Sequence, residues 1–158
     1  MEPVIKKCTK TLLAGHSILM SLSDNRTLEL WKGFMPQRKN IMNVVGTSLY
    51  SVQVFPAEFD FCNFHPGAIF EKWAAVAVKD IDDLPAGMKP LCISEGLYAV
   101  FQYKGSSSEG PTVFRYIFSE WLPASGYQVD ARPHFEILGE KYRNNDPESE
   151  EEIWIPVR

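Results

Sequence analysis

Cysteine is scarce in this chain. Cys8, Cys62 and Cys92 stand far apart and no C-x-x-C pair occurs, which excludes a disulfide framework or a thiolate zinc site as the organising device. No stretch approaches the ~20 apolar residues that a bilayer-spanning helix needs. The opening MEPVIKKCTK lacks the apolar centre of a secretory signal. A basic excess is missing too: 16 Lys and Arg face 20 Asp and Glu, a formal net charge of −4. That balance speaks against a surface built to neutralise phosphates. The expectation is a reduced, cytoplasmic protein that touches neither nucleic acid nor membrane directly, with no helix-turn-helix pattern ahead of its main body.

Catalytic and cofactor signatures are equally thin. GSSSEG lacks the Gly-Lys-Ser/Thr ending of a phosphate loop. Gly15-His16-Ser17-Ile18-Leu19 lacks the second glycine of a nucleophile elbow. His16, His65 and His134 fit no metal-ligand spacing. No cofactor and no metal are expected.

What the chain does have is rings. Aromatic residues make up 13%, with 10 Phe, 6 Tyr and 4 Trp, enough to line a small-molecule cavity or to fill a Phe-rich core. The acidic residues Asp146, Glu148, Glu150, Glu151 and Glu152 gather near the end, as a solvated loop or the entrance to a strand.

Residues 5–22 read as one β-rich strand bent at Gly15. Ser23, Asp24 and Asn25 are each able to cap a following helix, on which Leu28, Trp31, Phe34 and Met35 share a face, with Pro36 ending or kinking it. Residues 47–55 form a largely buried strand, 57–70 an irregular Phe-rich segment, and 70–80 a third strand before a linker at 81–90. Residues 90–105 are a long strand interrupted near 94–96. After the Gly-Ser loop, Pro111 opens a helix with Phe114, Ile117, Phe118 and Trp121 as its apolar stripe, stopped by Pro123 and Gly126. HFEILGEK and EEIWIPVR are two further strands. Each half thus reads strand, helix, strand, strand. An α+β domain over residues 1–158 is expected, with repeats at about 1–82 and about 90–158, antiparallel sheets carrying one main helix each, and a cleft between the halves.

GLYAVFQYKG, a helix ending in EWLPASGYQ, RPHFEIL and EEEIWIPVR together resemble the GyrI-like, or AraC-type effector-binding, family, which supplies small-molecule and multidrug-binding modules to bacterial regulators. The resemblance runs from about residue 5 to 157 and is specific mainly from Gly96 onward. It implies a pseudo-twofold duplication with the ligand in an aromatic-lined groove between the repeats. It also implies a groove glutamate, on the penultimate strand, that attracts cationic planar ligands. In PHFEIL that glutamate is Glu136. Many relatives carry a ring two places later, where this chain has Leu138.

In a strand, Glu136 shares a face with His134 and Leu138, while Phe135 and Ile137 point the other way. A buried carboxylate needs a partner. Here that is a bound cation or one of Arg115, Arg132 and Lys141. Rings with one carboxylate make a receptor for a delocalised cation, and the rings expected to line it are Trp31, Phe34, Tyr50, Trp73, Phe101, Tyr116 and Trp121. The leading expectation is an effector-binding, sensing or sequestering protein for apolar, cationic or aromatic small molecules. The alternatives are a hydrolase of reactive small molecules with Glu136 as acid–base group, aided by Tyr50 or Tyr116, and a gyrase-inhibitor-like module that binds a protein partner.

Overall fold

The computed structural model describes residues 1–63 and 65–158. Eight strands, β1 (Val4–Cys8), β2 (Thr11–Met20), β3 (Leu49–Val54), β4 (Phe70–Ala77), β5 (Lys89–Ile93), β6 (Gly96–Lys104), β7 (His134–Leu138) and β8 (Glu150–Pro156), form one antiparallel sheet in the order β1-β6-β8-β7-β3-β4-β2-β5. The two sheets expected from the sequence are therefore one, joined edge to edge where β3 pairs with β7.

Neither long opening strand is continuous. The chain breaks at Thr9–Lys10, so that β1 pairs with β6 at one end of the sheet and β2 with β4 and β5 near the other. Flat, β1 and β2 would lie six strand spacings apart, about 29 Å. The link from Cys8 to Thr11 spans at most about 11 Å. The sheet must therefore curl until its ends meet, and the equally short link from Ile93 to Gly96 imposes the same on β5 and β6. The inner face of this half-barrel packs on itself: Cys8, Leu13, Val52, Trp73, Ile93, Tyr98, Val100 and Phe135 form one cluster without help from a helix.

β2 runs unbroken through Gly15. A Cβ there would stand 2.0 Å from Ala74 O and 2.7 Å from Ala75 Cα, so the glycine admits the β4 backbone at close range.

The outer face carries the helices. In α1 (Thr27–Phe34) the sequence stripe is half right. Leu30 and Phe34 are the buried pair, against Ala14, Ala74 and Val76, whereas Leu28 is 66% exposed. The register of an eight-residue helix is set by what it covers, here a floor of alanines, not by its own weak pattern. Arg26, the residue before the helix, makes no side-chain cap and pairs with Glu29 instead, while Asn25, as expected, accepts from a backbone N–H at the helix start, that of Thr27. The second helical run, α2 (Gly110–Tyr116), widens to a π-turn over Ile117–Trp121 before α3 (Leu122–Ser125). Pro123, which lacks an N–H, follows the π-turn directly. Gly126, at φ 82°, closes the run. Val113 and Ile117 bury against Ala99, Phe101, Ile153 and Ile155, with Phe114, Phe118 and Trp121 packed around them.

The pairing registers define a two-fold axis through the Val52–Phe135 pair. Val52 pairs with Trp73 and Phe135 with Trp154. Trp73 then faces Ser17 on β2, as Trp154 faces Val100 on β6. Gln53 is thereby the mate of Glu136, Ser51 of His134, Phe70 of Glu151 and Lys72 of Ile153.

Candidate functional site

Parity along the strands puts Ser51 and Gln53 of β3, Lys72 of β4, His134 and Glu136 of β7 and Glu151 of β8 on the outer face. They lie at the two-fold axis, in the trough between α1 and the second helical run. Four of these side chains form a polar cluster.

Glu136 is 8% exposed. Its Oε2 accepts a hydrogen bond from Gln53 Nε2 at 3.1 Å and faces Lys72 Nζ at 4.0 Å. The partner of the glutamate is thus a lysine from the first half. Of the cations weighed from sequence, Arg132 bonds to Asp130 and to the carbonyl of Leu97, Lys141 pairs with Glu150, and Arg115 is exposed. Glu151 is the second acid. Burial pushes its carboxyl up to about 7, Glu136 adds to the rise, and Lys72 opposes it. Burial pulls the Lys72 ammonium down, with Glu136 and Glu151 acting against that. On the loop between β7 and β8, burial raises the Tyr142 hydroxyl, and Glu151 adds to the effect.

Beside the cluster lies an aromatic stack. The Phe61 ring sits between His134, at 5.1 Å and 18°, and Phe118, at 5.0 Å and 22°. Phe55 meets His134 edge-on at 4.8 Å and also contacts Phe59, Phe61 and Phe70. His134 is buried, which holds its imidazole down at about 3, so it is a neutral ring at physiological pH. The irregular Phe-rich segment read from sequence therefore folds back over the trough, except that Phe64 lies outside the described residues. The outer side of this segment has a shallow cleft of about 370 Å³ lined by Pro56, Glu58, Phe59, Asp60, Asn63, His65, Ala68 and Ile69.

The rings picked out from sequence are dispersed. Phe34 and Phe101 are fully buried beneath α1 and α2 on the same outer face as Glu136. Trp31 meets Phe34 edge-on, and Trp121 lies across Phe101 and stacks on Tyr127. The Tyr116 hydroxyl donates to Met1 O. Tyr50 and Trp73 are on the inner face, opposite to Glu136. Sequence reading overlooked Lys72, Gln53 and Glu151. The signal was available in strand alternation: Glu151 has the parity of Ile153 and Ile155, and Lys72 that of Ala74 and Val76.

A curled antiparallel sheet with two outer helical runs and a polar trough at the two-fold axis is the frame of a small-molecule receptor. A family model described as "GyrI-like small molecule binding domain" matches residues 1–158, and the chain belongs to this family. No curated protein sequence matches it. Among solved structures it is similar to SAV2435 bound to tetraphenylphosphonium (TM-score 0.71, 16% identity, covering 100% of this chain and 94% of that one). It is also similar to the EcmrR C-terminal domain (0.73, 13%, 99% and 97%) and to a hydrolase from Listeria innocua (0.59, 11%, 99% and 92%). At such identities the likeness is one of fold.

Proposed function

We propose that this chain binds apolar, ring-bearing cations in the trough between its helices, with Glu136 and Glu151 as the counter-charges. The observation that carries this reading is a surplus of acid. Two carboxylates share one ammonium, Lys72, in a largely buried setting, and burial, with Glu136 adding to it, pushes the second of them, Glu151, up to about 7. A ligand cation supplies a second positive charge. The stacked rings of Phe61, Phe118 and the neutral His134 pack beside it and make that side of the trough apolar. The binding of tetraphenylphosphonium by SAV2435 fits this chemistry. Calorimetric titration of that cation tests it: Glu136→Gln is expected to weaken binding roughly tenfold or more, and unchanged affinity would count against the reading.

One observation favours a second reading. A carboxyl poised at about 7 is suited to exchanging protons at neutral pH, as a hydrolase of reactive small molecules requires. Product analysis after incubation with strained or ester compounds checks it. Turnover lost in Glu151→Gln supports it, and turnover unaffected by that change opposes it.

A further inference from the structure

We infer that Lys72 is a built-in competitor for the ligand's positive charge, so that it weakens the binding of every cation at Glu136 and leaves uncharged ligands unaffected. This rests on the proposed role of Glu136 and Glu151.

Lys72 reaches the trough from β4, directly across from Gln53, and is 9% exposed. Its Nζ stands 4.0 Å from Glu136 Oε2, beyond direct hydrogen-bond reach. The ammonium is thus largely stripped of water without being tightly held, and it sits on a four-carbon stem that can carry it outward to water. The sheet does not require a lysine here, because the two-fold mate is the apolar Ile153. The charged groups acting on it are Glu136 from β7 and Glu151 from β8; Tyr142, from the loop between those strands, interacts with the two carboxylates, and the neutral His134 shares their face. Ser51 and Gln53 of β3 are uncharged.

A ligand cation that takes the place of Lys72 sends that ammonium back into solvent, and its pairing with Glu136 is given up. The exchange is the same whichever cation enters, so Lys72 lowers the affinity for all of them alike, while an uncharged ring has no need to displace it.

The test uses the full chain with three probes: ethidium, a flat delocalised cation; pyrenemethylammonium, a ring with a compact charge; and phenanthridine, an uncharged flat ring. Lys72→Met should tighten both cations by a similar factor, roughly tenfold, and leave phenanthridine unchanged. Lys72→Gln serves as a second neutral variant. In the wild type, amine acetylation read by peptide mass spectrometry should show Lys72 becoming more reactive when ethidium is bound. Ethidium binding that ignores Glu136→Gln would undo the proposed function. Binding that depends on Glu136 but is unchanged or weakened in the Lys72 variants, or a Lys72 no more reactive in the complex, would overturn the role of Lys72 alone.

Discussion

Trp73 and Trp154 are mates across the two-fold axis of the sheet. Each indole Nε1 donates to the glutamate two residues earlier, Glu71 and Glu152. Each ring lies beneath a lysine from the edge strand two places away: Lys89 at 5.1 Å over Trp73, and Lys6 at 5.8 Å over Trp154. The matched Glu–Trp–Lys units brace the inner face of the half-barrel at equivalent points, on the side away from Glu136.

Trp73→Phe is therefore expected to lower stability by roughly 1–2 kcal/mol, through loss of the hydrogen bond and of packing, while cation affinity stays as in the wild type. Trp154→Phe should cost less, since that residue is only partly buried and its bond is long at 3.4 Å. Urea unfolding beside a ligand titration separates the two effects.

Stability should be nearly level between about pH 4.5 and 6.5, because two linkages oppose one another. Glu151 has its folded pKa raised to about 7 from 4.5. The folded state keeps that proton longer, so the contribution is full below 4.5 and lost as pH rises through 7. His134 has its folded pKa lowered to about 3 from 6.5. Its contribution is full above 6.5 and lost as pH falls towards 3. Glu151→Gln should expose a decline that begins at 6.5 on acidification, and His134→Phe a decline that begins near 4.5 on going alkaline. Melting temperatures across the range check both slopes.

Affinity for a permanent cation should rise as pH increases through about 7, where Glu151 ionises. Glu151→Gln should flatten that rise while leaving the dependence on Glu136. Titrations at pH 6 and pH 8 suffice to see it.

Gly15→Ala places a methyl against the carbonyl oxygen of Ala74 and the Cα of Ala75. Backbone atoms on a central strand cannot step aside, so a loss of about 3 kcal/mol is expected. Chemical denaturation measures it.

Much of this was legible in the sequence. Alternation in HFEIL put Glu136 on the face of His134 and Leu138, and the paired registers bear this out. The order of elements revealed two halves, and Pro111 and Gly126 bracketed the second helical run. A residue likeness between the halves, Glu71–Trp73–Val76 against Glu152–Trp154–Val157, stands out only once the strand registers are paired, because it is three positions deep and surrounded by different neighbours. The face of Lys72 could be read from alternation, but its meeting with Glu136 could not, because the two are far apart in the chain and come together only across β3. Nor was the trough's aromatic cover among the rings chosen, which were taken from strands and helices. Phe61 comes from an irregular segment with no periodicity to point it inward.

The border strands have a lasting effect on how the chain is assembled. β1 precedes the first half yet completes the second, and β5 leads into the second half yet completes the first. Each repeat thus holds the other's outermost piece. A cut in the stretch 79–88 would yield fragments that are each one strand short of their own sheet and carry one belonging to the other. Such fragments are obliged to find one another before either regains its shape, and a lone repeat has no route to a finished fold.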